Sequence, residues 1–251
     1  MKIALLLFAI YVAFGLYLYL FQERIIFRPD LAPKEVELPK TAKVMMVDGI
    51  EVGIIDKKSP TILFYFGGNA NNALEALGLF ADLPYNVATL NYPGYGHSAG
   101  SPSQEAIFSA ATKVYEKFKN AHNIIIGRSL GTGVAAYIAA HHRADGLILI
   151  TPYHSITHLA KLRYPIYPAS LLVRHPFATY RYIQRVDAPT YIIAAEHDDT
   201  TPPATLKKLL PYIKNLKKVI TIPGAHHGDI LQFPATKEAL DAILKELSPP
   251  S

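Results

Sequence analysis

The sequence Gly127-Arg-Ser-Leu-Gly131 decides how this chain is interpreted, because a serine lies at its centre between two glycines. The β-branched run Asn123–Ile126 before it is typical of a buried strand, and the run Leu130–His141 after it is typical of a helix. A serine on a sharp turn from strand to helix projects from the edge of a sheet, and small flanking residues permit that turn. We therefore interpret Ser129 as a nucleophile rather than as part of a structural glycine-rich turn.

A serine becomes a strong nucleophile only when a base and an orienting acid accompany it. Two later strand-like runs, Thr190–Ala195 and Lys218–Ile222, are followed by suitable side chains. The carboxyl ends of parallel strands meet at one edge of a sheet, so these side chains can approach the serine. The spacing does not choose between the carboxylates or between the histidines. The candidates are Glu196, Asp198, Asp199, His226 and His227.

The remaining pattern indicates one α/β domain. The chain has 251 residues and a hydrophobic content of 50%, enough to bury a substantial core. Strand-like and helix-like runs alternate from about Thr61, which predicts a mostly parallel, doubly wound sheet. Asp48-Gly49 predicts a hairpin over residues 43–56. Helices are predicted near residues 71–81, 104–119, 130–141, 204–213 and 235–247.

Four segments in this order resemble the bud-emergence-type (Bem-like) α/β-hydrolases, a family related to the animal α/β-hydrolase-domain proteins and to serine aminopeptidase-like hydrolases. The resemblance implies an α/β-hydrolase fold with a helical cap insertion and a membrane-anchored, bacterial-type member. The four segments are Phe21–Pro29, Phe64–Ala70, Asn91–Ser103 and Gly127–Gly133.

The resemblance also selects among the candidate side chains. It implies that Asp198, four residues before Pro202, is the acid and that His227 is the base. One oxyanion donor is expected to be the amide of Leu130, which follows the nucleophile, and the resemblance implies that the amide of Asn69 is the other. Gly67 stands where the family has histidine, but backbone donors survive that change, so we expect the oxyanion hole to persist.

The N-terminus predicts a membrane anchor. Residues 3–21 contain no charge and would span roughly 28 Å as a helix, close to a hydrocarbon core of about 30 Å. A cleaved signal peptide is disfavoured because the apolar run is long and ends without a small-x-small site. We predict an anchor at residues 1–22, a linker at 23–42 and a hydrolase domain at 43–251.

The charges beside the anchor give a weak prediction of orientation. Lys2 and the amino terminus favour retention of the N-terminal flank in the cytoplasm, which would place the domain outside the cytoplasm. Arg24 and Arg28 follow the anchor closely and oppose this orientation.

Residues 153–186, where a cap is expected, are strongly basic. They hold five Lys or Arg residues and no Asp or Glu, so they account for the whole formal charge of +5. Such a lid could meet anionic headgroups or acidic acyl substrates, or it could be a solvated face. Nothing beside this charge resembles a nucleic-acid-binding motif, so nucleic acid is not an expected partner.

The sequence therefore predicts a membrane-anchored serine hydrolase that cleaves an ester, thioester or amide of a small-molecule or lipid-linked acyl substrate. The absence of cysteine excludes a disulfide, a thiolate nucleophile and a cysteine-bound metal. The histidines show no metal-binding spacing, and no cofactor is expected. The alternatives are a peptidase of the serine aminopeptidase type and a non-catalytic membrane scaffold that retains the fold.

Overall fold

The computed structural model describes residues 1–248, which form one eight-stranded sheet with helices on both faces. In chain order the strands are β1 (Ala42–Val47), β2 (Ile50–Ile55), β3 (Thr61–Phe66), β4 (Asn86–Leu90), β5 (His122–Arg128), β6 (Gly146–Ile150), β7 (Thr190–His197) and β8 (Leu216–His226). Across the sheet their order is β1-β2-β4-β3-β5-β6-β7-β8. The pairs β1–β2 and β2–β4 are antiparallel, and the remaining pairs are parallel.

The helices are also described in chain order. They are α1 (Lys2–Leu20), α2 (Gln22–Ile26), α3 (Leu77–Phe80), α4 (Gln104–Phe118), α5 (Leu130–His141), α6 (Ile156–Arg163), α7 (Ala169–Leu172), α8 (Thr179–Ile183), α9 (Pro203–Leu209) and α10 (Pro234–Leu247).

The central strands are buried on both faces, which explains their continuous apolar sequences. Alternate residues of β3 and its neighbours face opposite layers. Phe64 packs in the layer that contains α4, α5 and α8, whereas Leu63 packs in the layer that contains α3 and α10. The predicted doubly wound, mostly parallel sheet is therefore confirmed, and the carboxyl ends of β5, β7 and β8 share one edge.

Local signals explain several element boundaries. Asp48 and Gly49 have positive φ angles of 49° and 78°, and they join β1 to β2 in the predicted hairpin. The Ser103 hydroxyl accepts a hydrogen bond from the Ala106 amide, so α4 begins at the predicted residue with a side-chain cap. The helix predicted near residues 71–81 is broken into a 3₁₀ turn, Ala73–Ala76, and the short α3.

The segment predicted as a linker, residues 23–42, makes contacts with the sheet domain near its start. Phe27 is fully buried in the core, and its carbonyl accepts hydrogen bonds from the Ala70 amide and the Tyr95 hydroxyl. The Asn69 side chain also donates to the Ile26 carbonyl at 3.0 Å. Because these bonds reach loops at the edge of the sheet, the first part of the segment belongs to the packed domain.

The helix α1 contrasts with the rest of the molecule because none of its residues is buried. It has 19 residues and a mean hydropathy of 2.4, so its length and composition are sufficient to cross a bilayer. Its long-range contacts include the predicted cap, where the Tyr11 ring stacks on that of Tyr167. The boundaries drawn from sequence for the anchor, the domain and the cap remain predictions about their roles.

Candidate active site

The candidate nucleophile lies on a strained turn between β5 and α5. Ser129 has φ +51° and ψ −121°, a combination that L-residues rarely adopt and that costs on the order of 1–3 kcal/mol. The two flanking glycines allow it. A Cβ on Gly127 would lie 2.4 Å from the Gly131 carbonyl oxygen, and a Cβ on Gly131 would lie 2.0 Å from the Phe66 carbonyl oxygen. The serine is thus held by a backbone that only glycine neighbours permit.

Ser129, His227 and Asp198 form a continuous chain of hydrogen bonds. His227 Nε2 lies 2.8 Å from Ser129 Oγ, and His227 Nδ1 lies 3.0 and 2.9 Å from the two Asp198 carboxylate oxygens. All three residues are buried. Because an ionised carboxylate only accepts, the hydrogen belongs on Nδ1, and this leaves Nε2 free to accept from the serine hydroxyl. The structure thus brings together the three residues that the resemblance selected.

The Asp198 carboxylate is stabilised as an anion. Burial raises its pKa, but hydrogen bonds from His227 and Thr201 and attraction to the His227 ring outweigh burial and lower the pKa below its ordinary value. The Thr201 hydroxyl donates to one oxygen at 2.8 Å, and the amides of Thr200 and Thr201 donate to the other at 3.0 and 2.6 Å. These partners fix the carboxylate in the orientation that holds the imidazole.

The other candidates do not contact Ser129 or His227 through the hydrogen bonds they make. The Glu196 carboxylate accepts from the Gly224 amide at 2.8 Å, and the exposed Asp199 carboxylate accepts from the Thr200 hydroxyl. The side chain of His226 is exposed, whereas that of His227 is buried. The alternatives that spacing left open are therefore separated by the register of the two loops after β7 and β8.

The predicted oxyanion residues line the same cavity as Ser129. Leu130 is the first residue of α5, where amides have no intrahelical partner. Gly68 approaches the nucleophile so closely that an added Cβ would lie 3.3 Å from Ser129 Cβ. Asn69 follows it and is anchored through its side-chain bond to Ile26. The oxyanion role of the Leu130 and Asn69 amides stays a prediction.

A cavity of about 580 Å³ extends from the serine. Ser129, Leu130 and Thr201 line it together with apolar side chains of α6 and α7. Cavities of about 300–1,000 Å³ with mostly apolar walls are typical of small-molecule sites. The cavity thus offers apolar surface beside the candidate nucleophile.

Solved structures share this arrangement of strands and helices. An esterase from Mycobacterium tuberculosis superposes with a TM-score of 0.65 at 14% sequence identity, covering 92% of this chain and 98% of that one. An esterase from Pyrococcus furiosus has a TM-score of 0.66 at 15% identity, covering 88% of this chain and 93% of that one. The chain has the α/β-hydrolase fold.

Sequence comparison relates this chain to curated proteins. Lysophosphatidylserine lipase ABHD12 of Danio rerio is 27% identical over 234 residues, covering 77% of this chain and 60% of that one. The α/β-hydrolase domain-containing protein WAV2 of Arabidopsis thaliana is 28% identical over 176 residues, covering 61% and 57%. An uncharacterized protein of M. tuberculosis is 28% identical over 163 residues, covering 62% and 56%.

The chain spans a little over half the length of these curated relatives. No family model matches it. Its homologues thus include α/β-hydrolase domain proteins, and one of them is named as a lipase.

Two residues of this candidate site were not predicted from the sequence. Thr201 holds Asp198, and the signal for it was its position three residues after the carboxylate, where an amide and a hydroxyl can both turn back. Arg128, within the serine motif, is buried, and its Nη2 donates to the carbonyls of His227 and Gly228 at 3.0 and 3.1 Å. Arg128 therefore joins the strand that carries the serine to the loop that carries the histidine.

Proposed function

We propose that this protein is a membrane-anchored serine hydrolase that cleaves an ester, a thioester or an amide through an acyl-enzyme. The observation that carries the proposal is the unbroken sequence of hydrogen bonds from Ser129 through His227 to Asp198. The named lipase among the relatives and the esterase fold neighbours support a hydrolytic reaction. A scaffold without activity would not need a strained serine with an aligned base.

The proposed reaction follows from the atoms of the site. Ser129 Oγ attacks the carbonyl carbon while its proton passes to His227 Nε2. The resulting oxyanion accepts hydrogen bonds from the amides of Leu130 and Asn69. His227 then gives the proton to the leaving group, and Asp198 stabilises the imidazolium. Water, activated by the same histidine, hydrolyses the acyl-enzyme and regenerates the serine.

The cavity favours an acyl ester over a peptide substrate. A peptidase of the serine aminopeptidase type must bind a cationic amino terminus. Among the described residues that line the cavity, the one carboxylate is the exposed Asp199, whereas Arg28 and Arg163 are cations. This charge distribution and the apolar sides suit a neutral or anionic acyl substrate. The peptidase remains the second candidate because amides share the same chemical route.

The anchor proposal rests on α1 being a partner of the folded domain. The Tyr11 hydroxyl of α1 donates to the Ile166 carbonyl at 3.1 Å, and the Tyr167 hydroxyl donates to the Tyr11 carbonyl at 3.0 Å. Removal of α1 as a signal peptide would take these partners away from Ile166 and Tyr167, so a retained helix fits better. We further propose membership of the Bem-like α/β-hydrolases, carried by the four resembling segments.

Labelling with a fluorophosphonate tests the proposed chemistry, because only an activated serine reacts. The parent protein should be labelled and should hydrolyse a short p-nitrophenyl ester. Ser129→Ala should lose both, by on the order of 10⁴-fold or more in turnover, with little change in thermal midpoint. The exposed Ser101→Ala is the matched control and should behave as the parent. A parent protein that neither reacts nor turns over would contradict the proposal.

The proposed orientation places the domain outside the cytoplasm, and it has its own test. In a bacterial host, a C-terminal alkaline phosphatase fusion should be active, and a green fluorescent protein fusion exported by the same route should stay dark. A bright fluorescent fusion with inactive phosphatase would reverse the orientation without affecting the chemistry.

A further inference from the structure

One wall of the cavity is contributed by the N-terminal helices rather than by the sheet domain. Leu18 of α1 and Gln22, Ile25 and Ile26 of α2 line the same cavity as Ser129. The apolar helix that is long enough to cross a bilayer is thus also part of the cavity wall.

The cap is docked on α1 by specific contacts. The rings of Tyr11 and Tyr167 stack with centroids 4.6 Å apart and planes inclined by 3°. The Tyr11 hydroxyl donates to the Ile166 carbonyl at 3.1 Å, and the Tyr167 hydroxyl donates to the Tyr11 carbonyl at 3.0 Å. Gly15 provides the space, since a Cβ there would lie 2.8 Å from the Tyr167 ring. The cap therefore has a defined position along the helix.

That position sets the depth of the cap. Tyr11 lies nine residues before Leu20, the end of α1, which is about 14 Å along the axis at about 1.5 Å per residue. A hydrocarbon core is about 30 Å thick, so Tyr11 would lie near its midplane. A backbone carbonyl at such a depth requires a hydrogen-bond donor from the protein, and the Tyr11 hydroxyl is that donor for Ile166.

The outer surface of the cap suits the same environment. Leu162, Ile166 and Leu171 are 47%, 70% and 81% exposed, respectively, although they are large apolar side chains. At the end of α1, Arg174 lies over the Tyr19 ring at 5.2 Å and pairs with Glu23 at 3.3 Å. Aromatic and cationic side chains favour the membrane interface. Ile166, whose carbonyl is bonded to Tyr11, thus places exposed apolar surface of the cap beside α1, and Arg174 and Tyr19 lie at the end of that helix.

We propose that α1 forms one wall of an acyl-chain site, and that the cap enters the adjacent leaflet so that a lipid acyl chain passes sideways from the bilayer into the cavity. The carbonyl end of that chain lies at Ser129 and its apolar end lies against Leu18. The substrate class is an acyl ester of a membrane lipid. This inference rests on the proposed hydrolase function, and it assigns the anchor a part in substrate selection.

The first test fills the part of the cavity beside α1. Leu18→Trp should lower kcat/KM for a sixteen-carbon p-nitrophenyl ester about tenfold or more and leave the acetate ester and fluorophosphonate labelling unchanged. The exposed Leu16→Trp on the same helix is the matched control and should leave both esters unchanged. Short-ester turnover also reports that the variants fold.

The outcomes separate the two proposals. Equal effects of Leu18→Trp on short and long esters, or no effect on either, would overturn the acyl-chain site while the hydrolase function stands. A parent protein without labelling or short-ester turnover would overturn the hydrolase function, and the acyl-chain site would fall with it.

The second test measures the depth of the cap without catalysis. The chain contains no tryptophan, so one introduced residue gives an unambiguous fluorescence signal. In vesicles of phosphatidylcholine brominated on the acyl chains, Ile166→Trp should be strongly quenched. Met46→Trp, on the exposed surface of β1, should keep its emission. Equal emission from the two variants in brominated and plain vesicles would overturn the insertion of the cap.

Discussion

The site around Ser129 and the contact between α1 and the cap are stabilised differently. Around Ser129, buried polar groups are matched by several short hydrogen bonds, such as those from Thr201 and His227 to Asp198. Between α1 and the cap, two hydrogen bonds accompany packed rings, with Tyr11 stacked on Tyr167 and Phe14 edge-on to Tyr164. Substitutions around Ser129 should change chemistry because that site holds the reacting atoms, and those between α1 and the cap should change chain-length selectivity because α1 lines the cavity.

The largest effect is expected where the carboxylate orients the base. Asp198→Asn replaces an acceptor of the His227 Nδ1 hydrogen with an amide, which favours the wrong tautomer. By analogy with the same change in a serine protease triad, turnover should fall about 10⁴-fold. Steady-state kinetics on a short ester would measure it. Asp199→Asn, one residue away and exposed, should retain nearly full turnover. The opposite ranking would move the acid role to Asp199.

A smaller effect is expected at Arg128, which positions the histidine loop without reaching the reacting atoms. Arg128→Met removes the donors to the His227 and Gly228 carbonyls. A displacement of about 1 Å of the base can cost about 10²-fold, so kcat should fall by that order while KM for a short ester stays unchanged.

Partial recovery of kcat in a second variant distinguishes a positioning role of Arg128 from a contribution to stability alone. Arg128→Lys retains one cationic donor and should restore part of kcat. If Arg128→Met and Arg128→Lys lower the thermal midpoint but leave kcat intact, Arg128 has a structural role only.

Displacement of the cap from α1 should have a smaller effect, confined to kcat/KM for long-chain esters. Gly15→Leu places a side chain where Tyr167 leaves no room, so the cap must shift away from α1. We expect kcat/KM for a long-chain ester to fall several-fold in bilayers, with short-ester turnover unchanged. Ala13→Leu, at an exposed position of the same helix, is the control. Equal losses for both chain lengths in Gly15→Leu would show that the cap and the site around Ser129 are mechanically coupled.

The site around Ser129 could be predicted from the sequence because its signals are local. The glycines around Ser129 report a backbone that has no room for a Cβ, and a strand before it and a helix after it are visible as composition. The choice of Asp198 over Asp199 was not available from spacing, since one residue of register separates a buried from an exposed carboxylate. That choice came from the resemblance.

The contact between α1 and the cap was not predictable in the same way. The contact of Tyr11 with Tyr167 joins residues 156 positions apart, and neither residue lies in a motif. Phe27 is fully buried although it lies in the segment predicted as a linker. The bonds of Arg128 to the carbonyls of His227 and Gly228 join positions 99 and 100 residues apart. Long-range packing of this kind depends on tertiary structure that composition does not encode locally.

The smallest expected effect lies at the start of the predicted cap. Burial lowers the pKa of His154 to about 4, and nearby Lys208 and His158 add to the shift. Its ring stacks on Tyr180 at 4.3 Å, and its buried Nε2 has no hydrogen-bond partner. The neutral ring is therefore the form that the fold accommodates.

The sign of the pH dependence follows from this depressed pKa. Between pH 6.5 and about 4, the unfolded chain binds a proton at His154 that the folded protein does not, so the contribution to stability is present above pH 6.5 and is lost as the pH falls.

His154→Phe keeps an aromatic stack and cannot titrate. The thermal midpoint of the parent should fall by about 2–4 °C more than that of His154→Phe between pH 7 and pH 5, on the scale of 1 kcal/mol for a chain of this size. Differential scanning fluorimetry would measure the thermal midpoint of both proteins across this pH range. If the two midpoints fall in parallel, protonation of His154 does not destabilise the folded protein. The start of the cap would then be more open to water than the packing of His154 on Tyr180 implies.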